Sequence, residues 1–188
     1  MEMARKTEKA IATALKQLLA TKPLSKITIS DIANECGINR MTFYYHYRDV
    51  YDLIEHICDD TLRTALEGNR SIADWQDGVL RLMQAMQADR AFFTGIYHSA
   101  AKDRFFNYLF HLIEELLQEG IDEVGPLSVT KDEQQFIIDF YNYAFCGIVV
   151  RWLSNGMKED PREIVDRMGI VGKGGLKRSV DAFQKAKA

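Results

Sequence analysis

The chain is expected to fold as an all-α protein, an N-terminal helix-turn-helix head of three helices followed by a larger helical body. Three observations carry that expectation. Apolar residues recur at three- and four-residue spacing along nearly all of the 188 residues. Of the three prolines, Pro23 and Pro126 fall between the periodic segments and Pro161 stands at the first turn of one. Two capping-box patterns, Thr28 with Asp31 and Thr130 with Glu133, mark helix starts.

The first helix is predicted over about 4–20, with Ile11, Leu15 and Leu18 in register on one face. It holds acids and no long apolar run, so it does not read as a secretory signal. Next comes ITISDIANECGINRMTFYYHYRDVYDL, residues 27–53, which reads as two short helices around a tight turn. Ile29, Ile32 and Ala33 bury one face of the first. Cys36 is small enough to sit between the two, and Gly37 can take the positive φ that ends a helix. Asn39 is a good N-cap for the second.

In that second helix Phe43 and Tyr47, with Ile38, face the core. Arg40 and Tyr44 form one outward pair, Met41 and Tyr45 another, while Thr42 and His46 lie on the flank. A helix of about two turns with so much exposed aromatic surface needs a partner for it. DNA suits the arrangement: Arg can take guanine O6 and N7, a Met or Tyr side chain can meet a thymine methyl, and hydroxyls reach phosphates. The candidate DNA-contacting residues are Thr28, Ser30, Asn39, Arg40, Met41, Thr42, Tyr44, Tyr45, His46 and Arg48, with Arg40 reading a base and Ser30 and Arg48 on the backbone.

On these residues the segment resembles the TetR family of regulators. The family pattern is a Thr-led helix, Ile-Ala, Gly, a polar cap and Thr-hydrophobic-Tyr-x-His-aromatic. Here it stands as Thr28, Ile32, Ala33, Gly37, Asn39 and TFYYHY. The resemblance covers roughly the first quarter of the chain. It implies a DNA-binding head, a helical regulatory body and a pocket in that body. The segments TFYYHYRDVYDLIEHI and GIVVRWLSNGMKEDP also resemble a branch that includes regulators of dihydroxyacetone kinase operons. One departure stands out: the family usually has a phosphate-touching Lys where this chain has Val50, and Arg48 is the nearby cation.

Beyond the head, a connector is predicted over 49–67, a break at GNRSI from Gly68, and helices over about 73–88, 90–98 and 101–120. Pro126 lies in a Gly-Pro loop. A helix from Thr130 runs to Asn155-Gly156, a good stop, and the last covers about 161–170, opened by Asp160 and Pro161. The tail from Gly172 is basic and starts with glycines, either a loose arm or a short surface helix. The domains expected are therefore residues 1–48, 49–171 and the tail 172–188.

Composition agrees. With 47% hydrophobic residues the chain can bury a sizeable core. Its net charge of −3 is unevenly divided. Residues 1–50 hold 8 Lys or Arg against 5 Asp or Glu, and residues 51–188 hold 16 against 22. A basic head on an acidic body is what one phosphate-facing end requires. Cys36, Cys58 and Cys146 have no metal-like spacing and suit a reducing cytoplasm. There is no Gly-rich phosphate loop and no Cys-x-x-Cys or His-Glu-x-x-His run, and the four histidines are scattered. No enzyme, metal or cofactor is expected. The apolar stretch Phe136–Leu153 is broken by Asp139, Asn142 and Arg151, which fits a buried helix better than a membrane span.

The function expected is a sequence-specific DNA-binding transcription regulator, a homodimer on an operator, modulated by a small effector or a protein coregulator. The dimer interface is expected at Tyr143, Gly147, Ile148, Val150 and Arg151, with Ile164, Val165 and Met168 from the last helix. A pocket lined by Tyr97, His98, Arg104, Tyr108, His111 and Asn142 would take the effector. Arg104, Tyr108 and His111 share a face; turned inward they favour a polar or anionic ligand, turned outward they are a solvated face. The alternative is a ligand-binding or protein-interaction module without specific DNA readout.

Overall fold

The computed structural model describes residues 2–68, 74–123 and 129–186, and ten α-helices account for most of them. The break predicted at GNRSI and the Gly-Pro loop at Pro126 lie almost wholly outside the described residues. Helix α1 spans Glu2–Leu19 and leads through a 3-10 turn, Leu24–Lys26, to α2, Ile29–Glu35. The predicted capping box forms: the Asp31 backbone N–H donates to Thr28 Oγ1 at 3.1 Å, and the Thr28 N–H donates to Asp31 Oδ2 at 2.8 Å. Gly37 takes φ +68°, and the Ile38 N–H closes the end of α2 on the Ala33 carbonyl at 2.9 Å. The chain thereby turns sharply into α3, Arg40–His46, capped by Asn39 as the sequence predicts.

Helix α4, Val50–Leu66, starts four residues later, with Asp49 Oδ1 accepting from the Tyr51 and Asp52 N–H groups. It packs against α5, Trp75–Ala88, and α7, Lys102–Glu123. Between them α6, Arg90–Tyr97, returns to the C-terminal end of α1. There Gly95 faces Leu19 closely: an added Cβ would stand 3.2 Å from Leu19 Cδ2, a tight contact. Lys16 pairs with Asp89 beside it.

Helix α7 lies along α8, Lys131–Ser154, which opens with the second predicted capping box, Thr130 with Glu133. Asn142 is fully buried in the middle of α8; its Nδ2 donates to the Phe110 carbonyl of α7 at 3.0 Å, and its Oδ1 accepts from Cys146 Sγ at 3.2 Å. This is how a polar group survives burial. By length and composition α8 could cross a membrane, yet one side of it is packed in the protein core. Helix α9, Pro161–Gly172, carries Asp160 as its cap and packs on α5. The tail differs from a loose arm: Gly175–Lys185 forms α10, docked on α8 and α9, with Val180 buried and Tyr141 Oη 3.2 Å from Ser179 Oγ. Its two leading glycines allow the turn from α9, since Gly174 has φ +65° and a Cβ on Gly175 would collide with the Tyr141 hydroxyl. Buried side chains from Ile11 to Val180 make one continuous cluster.

Candidate DNA interface

Phe43, wholly buried, anchors α3 on the head, and Tyr47 packs on it at 5.8 Å between ring centroids. That leaves the opposite side of α3 free. Tyr45 is 84% exposed and Met41 74%, with Tyr44 beside them. Arg40 is exposed and enters no ion pair among the described residues. A soluble surface rarely keeps two such apolar tips on one short helix without a partner. The face is also rigid, because Asn39 Oδ1 accepts from the Thr42 N–H at 2.8 Å and from its hydroxyl at 3.1 Å. Thr42 and Asn39 therefore hold the first turn of α3, and Thr28 does the same for α2, while Ser30 is half-buried in the first turn of α2.

His46 departs from its expected place. Its side chain is only 7% exposed and its Nδ1 lies 3.3 Å from Glu8 Oε1 on α1, so it joins two helices of the head instead of facing a groove. The flank position was legible; the partner, 38 residues away, was not. Arg48 does project into solvent, held lightly by Asp52 at 3.4 Å. Its backbone N–H donates to Asp52 Oδ2 at 2.9 Å, which holds the Asp52 carboxyl below its ordinary range. Val50 opens α4 and packs partly on the core, so the site offers no cation there.

The expected effector residues do not converge. Arg104 pairs with Glu55 of α4 at 2.9 Å and lies over the Tyr51 ring, and the Tyr108 hydroxyl donates to Asp59 of α4 at 3.1 Å. Burial against that carboxylate pushes the Tyr108 hydroxyl well above its ordinary range. His98 and His111 are exposed, Tyr97 lies under Lys102, and Asn142 is used inside the α7–α8 contact. The stripe on α7 is therefore turned outward and toward α4. It ties two helices together instead of lining a pocket. A cleft of about 190 Å³ lies elsewhere, between the start of α5 and α9, lined by Asp74, Gln76, Asp77, Leu80, Arg162, Val165 and Asp166.

Of the expected dimer residues, Tyr143, Gly147 and Arg151 are exposed on α8 and Ile148 and Val150 are half-buried. Ile164, Val165 and Met168 are instead buried within the chain, because α5 covers that face of α9. The apolar surface α9 leaves outside is Ile170 and Val171. Two further aromatics of the apolar stretch, Phe136 and Phe140, are each 63% exposed on α8. Their signal was present in the sequence, since Phe136, Phe140, Tyr143 and Gly147 follow a 4-3-4 spacing down one face.

Comparison with known proteins agrees with this geometry. Residues 11–57 match the profile of the bacterial regulatory proteins of the tetR family, and residues 73–174 match its transcriptional regulator C-terminal region. The chain belongs to the TetR family of DNA-binding transcriptional regulators. Among its relatives, the dhaKLM operon transcriptional activator DhaS of Lactococcus lactis is 26% identical over 146 residues, 76% of each chain. The HTH-type regulator YxbF of Bacillus subtilis is 24% identical over 175 residues, which are 88% of this chain and 44% of that one. In fold, the chain is similar to the dihydroxyacetone kinase operon activator DhaS, with a TM-score of 0.72 at 21% identity, covering 94% of this chain and 97% of that one. NalD of Pseudomonas aeruginosa, the secondary repressor of the MexAB-OprM efflux pump, gives 0.60 at 18% identity, covering 96% and 98%.

Proposed function

We propose that this regulator binds a two-fold symmetric operator as a cytoplasmic homodimer, with residues 1–48 as the reading head, 49–171 as the regulatory and pairing body, and α10 closing that body. The observation that carries the reading is the exposed Arg40, Met41, Tyr44 and Tyr45 face on a rigidly capped helix. Arg40 reads a guanine edge, Met41 and Tyr45 meet thymine methyls, and Tyr44, Thr42, Ser30 and Arg48 add base-edge and phosphate contacts. An operon encoding a dihydroxyacetone kinase is the target that the likeness to DhaS supports.

The exposed seam of α8 supports the homodimer. Its 4-3-4 spacing fits knobs-into-holes pairing with a copy of itself, and a Cβ on Gly147 would meet nothing within 4 Å, so two helices can approach closely there. Ile170 and Val171 are the apolar residues that α9 leaves exposed. An effector, small molecule or coregulator, shifts operator occupancy only by preferring one spacing of the two heads. The second reading, an interaction module without specific readout, is favoured by Val50 and by the turned-in His46. Sedimentation of wild type and Phe140→Arg, each with operator titration, separates the two. The homodimer reading expects a wild-type dimer, a monomeric variant and operator affinity lost in step. A 21.6 kDa wild-type species at micromolar concentration contradicts it.

A further inference from the structure

The eight Lys and Arg of residues 1–50 are not equally available for phosphate. Lys16 is engaged by Asp89, Lys22 by Asp31 at 3.2 Å and Arg48 by Asp52 at 3.4 Å. Arg5, Lys6, Lys9, Lys26 and Arg40 are exposed and join no ion pair among the described residues. Three of those five stand on the first turns of α1. Arg40 is on the reading face itself, and Lys26 is in the 3-10 turn before α2. The charge that could neutralise a DNA backbone is thus concentrated on a helix outside the helix-turn-helix.

That helix adjoins the reading face. Glu8 of α1 meets His46 at 3.3 Å, and the His46 ring meets the Tyr45 ring edge-on at 5.2 Å. Tyr45 is the most exposed of the large hydrophobic side chains on the reading face. Arg5 lies one turn before Glu8 on the same side of α1, and Lys9 lies one turn after Arg5. The Glu8 carboxylate lies against His46, and neither Arg5 nor Lys9 joins an ion pair among the described side chains. We propose that Arg5 and Lys9 form an additional DNA-backbone surface, continuous with α3, that grips phosphates flanking the bases α3 reads. This surface supplies the phosphate contacts that Val50 and the inward His46 do not make.

The inference rests on the head binding DNA, and the test separates failure of one from failure of the other. The full chain is used with a site selected from random DNA. Affinity is followed against salt for wild type, Arg5→Gln/Lys9→Gln, single Arg5→Gln, Arg5→Lys, and a remote control of equal charge change, Lys177→Gln/Lys185→Gln on α10. Removing one phosphate-binding cation flattens the log–log salt slope by about 0.9. The double variant is expected to flatten it by about 1.8 per head, the single variant by about half of that, and Arg5→Lys and the control not at all. Base preferences stay as in wild type, while backbone protection outside the half-site disappears. Unchanged slopes in both Gln variants overturn the proposal, as does equal flattening in the control. Absence of any wild-type site sinks the head reading instead. The single variant and Arg5→Lys keep the test open if the double variant fails to fold.

Discussion

Tyr47 holds a buried hydroxyl that has no hydrogen-bond partner among the described residues, and burial pushes it far above its ordinary pKa. The spacing from Phe43 placed its ring in the core correctly; nothing local showed that the hydroxyl would be stranded there. Leaving such a group unpaired costs about 1–3 kcal/mol. Tyr47→Phe is therefore expected to stabilise the chain by about 1 kcal/mol in urea unfolding, and destabilisation of that size would mean that the hydroxyl has a partner. Asp31 is the opposite case, legible as a capping-box residue and found as one. Hydrogen bonds from the Thr28 backbone and hydroxyl, with Lys22 beside it, hold its carboxyl below the usual 3.8. A depressed carboxylate stabilises the fold above its unfolded-state pKa, and that contribution is lost as pH falls through the lower folded value. Asp31→Asn should therefore narrow its deficit against wild type as pH drops below about 4. A deficit that is constant from about pH 7 to about pH 3 contradicts the assignment.

At the scale of elements, periodicity and caps carried most of what could be read. The starts of α2, α3, α8 and α9 followed from Thr28, Asn39, Thr130 and Asp160, because a side-chain cap is a local interaction. Which face of a helix meets which neighbour is not local. The α7 stripe of Arg104, Tyr108 and His111 could have pointed either way, and its direction is set by Glu55 and Asp59 on α4. Ile164, Val165 and Met168 were correctly apolar but are claimed by α5 of the same chain. Two neighbours on α4 distinguish the forces that hold it in the fold. Leu62 is wholly buried, whereas Arg63, 40% exposed at its side chain, bridges Asp59 at 2.7 Å and Glu115 at 3.0 Å. Leu62→Ala should cost about 2–5 kcal/mol at any salt concentration. Arg63→Ala should cost less than about 1 kcal/mol, and less again in about 1 M salt. Denaturant curves at two ionic strengths decide this, and an Arg63 cost matching that of Leu62 would mean the strap and not the core holds α4.

For the whole molecule, the basic head on an acidic body was readable from charge alone, and the fold explains why it matters. The head's cations that join no ion pair among the described residues lie on α3, on the start of α1 and in the 3-10 turn before α2, while α8 exposes an apolar seam. A two-fold pair of such chains presents DNA with two identical reading helices about 34 Å apart or a multiple of it. The central claim, that α3 reads bases in a symmetric operator, is tested most directly by selecting sites from random DNA with wild type and Arg40→Ala. The expected result is an inverted repeat for wild type and, for the variant, relaxed preference at one position of each half-site at a cost of about 1–3 kcal/mol. No enriched sequence for wild type, or the same affinity and preferences in the variant, would contradict it.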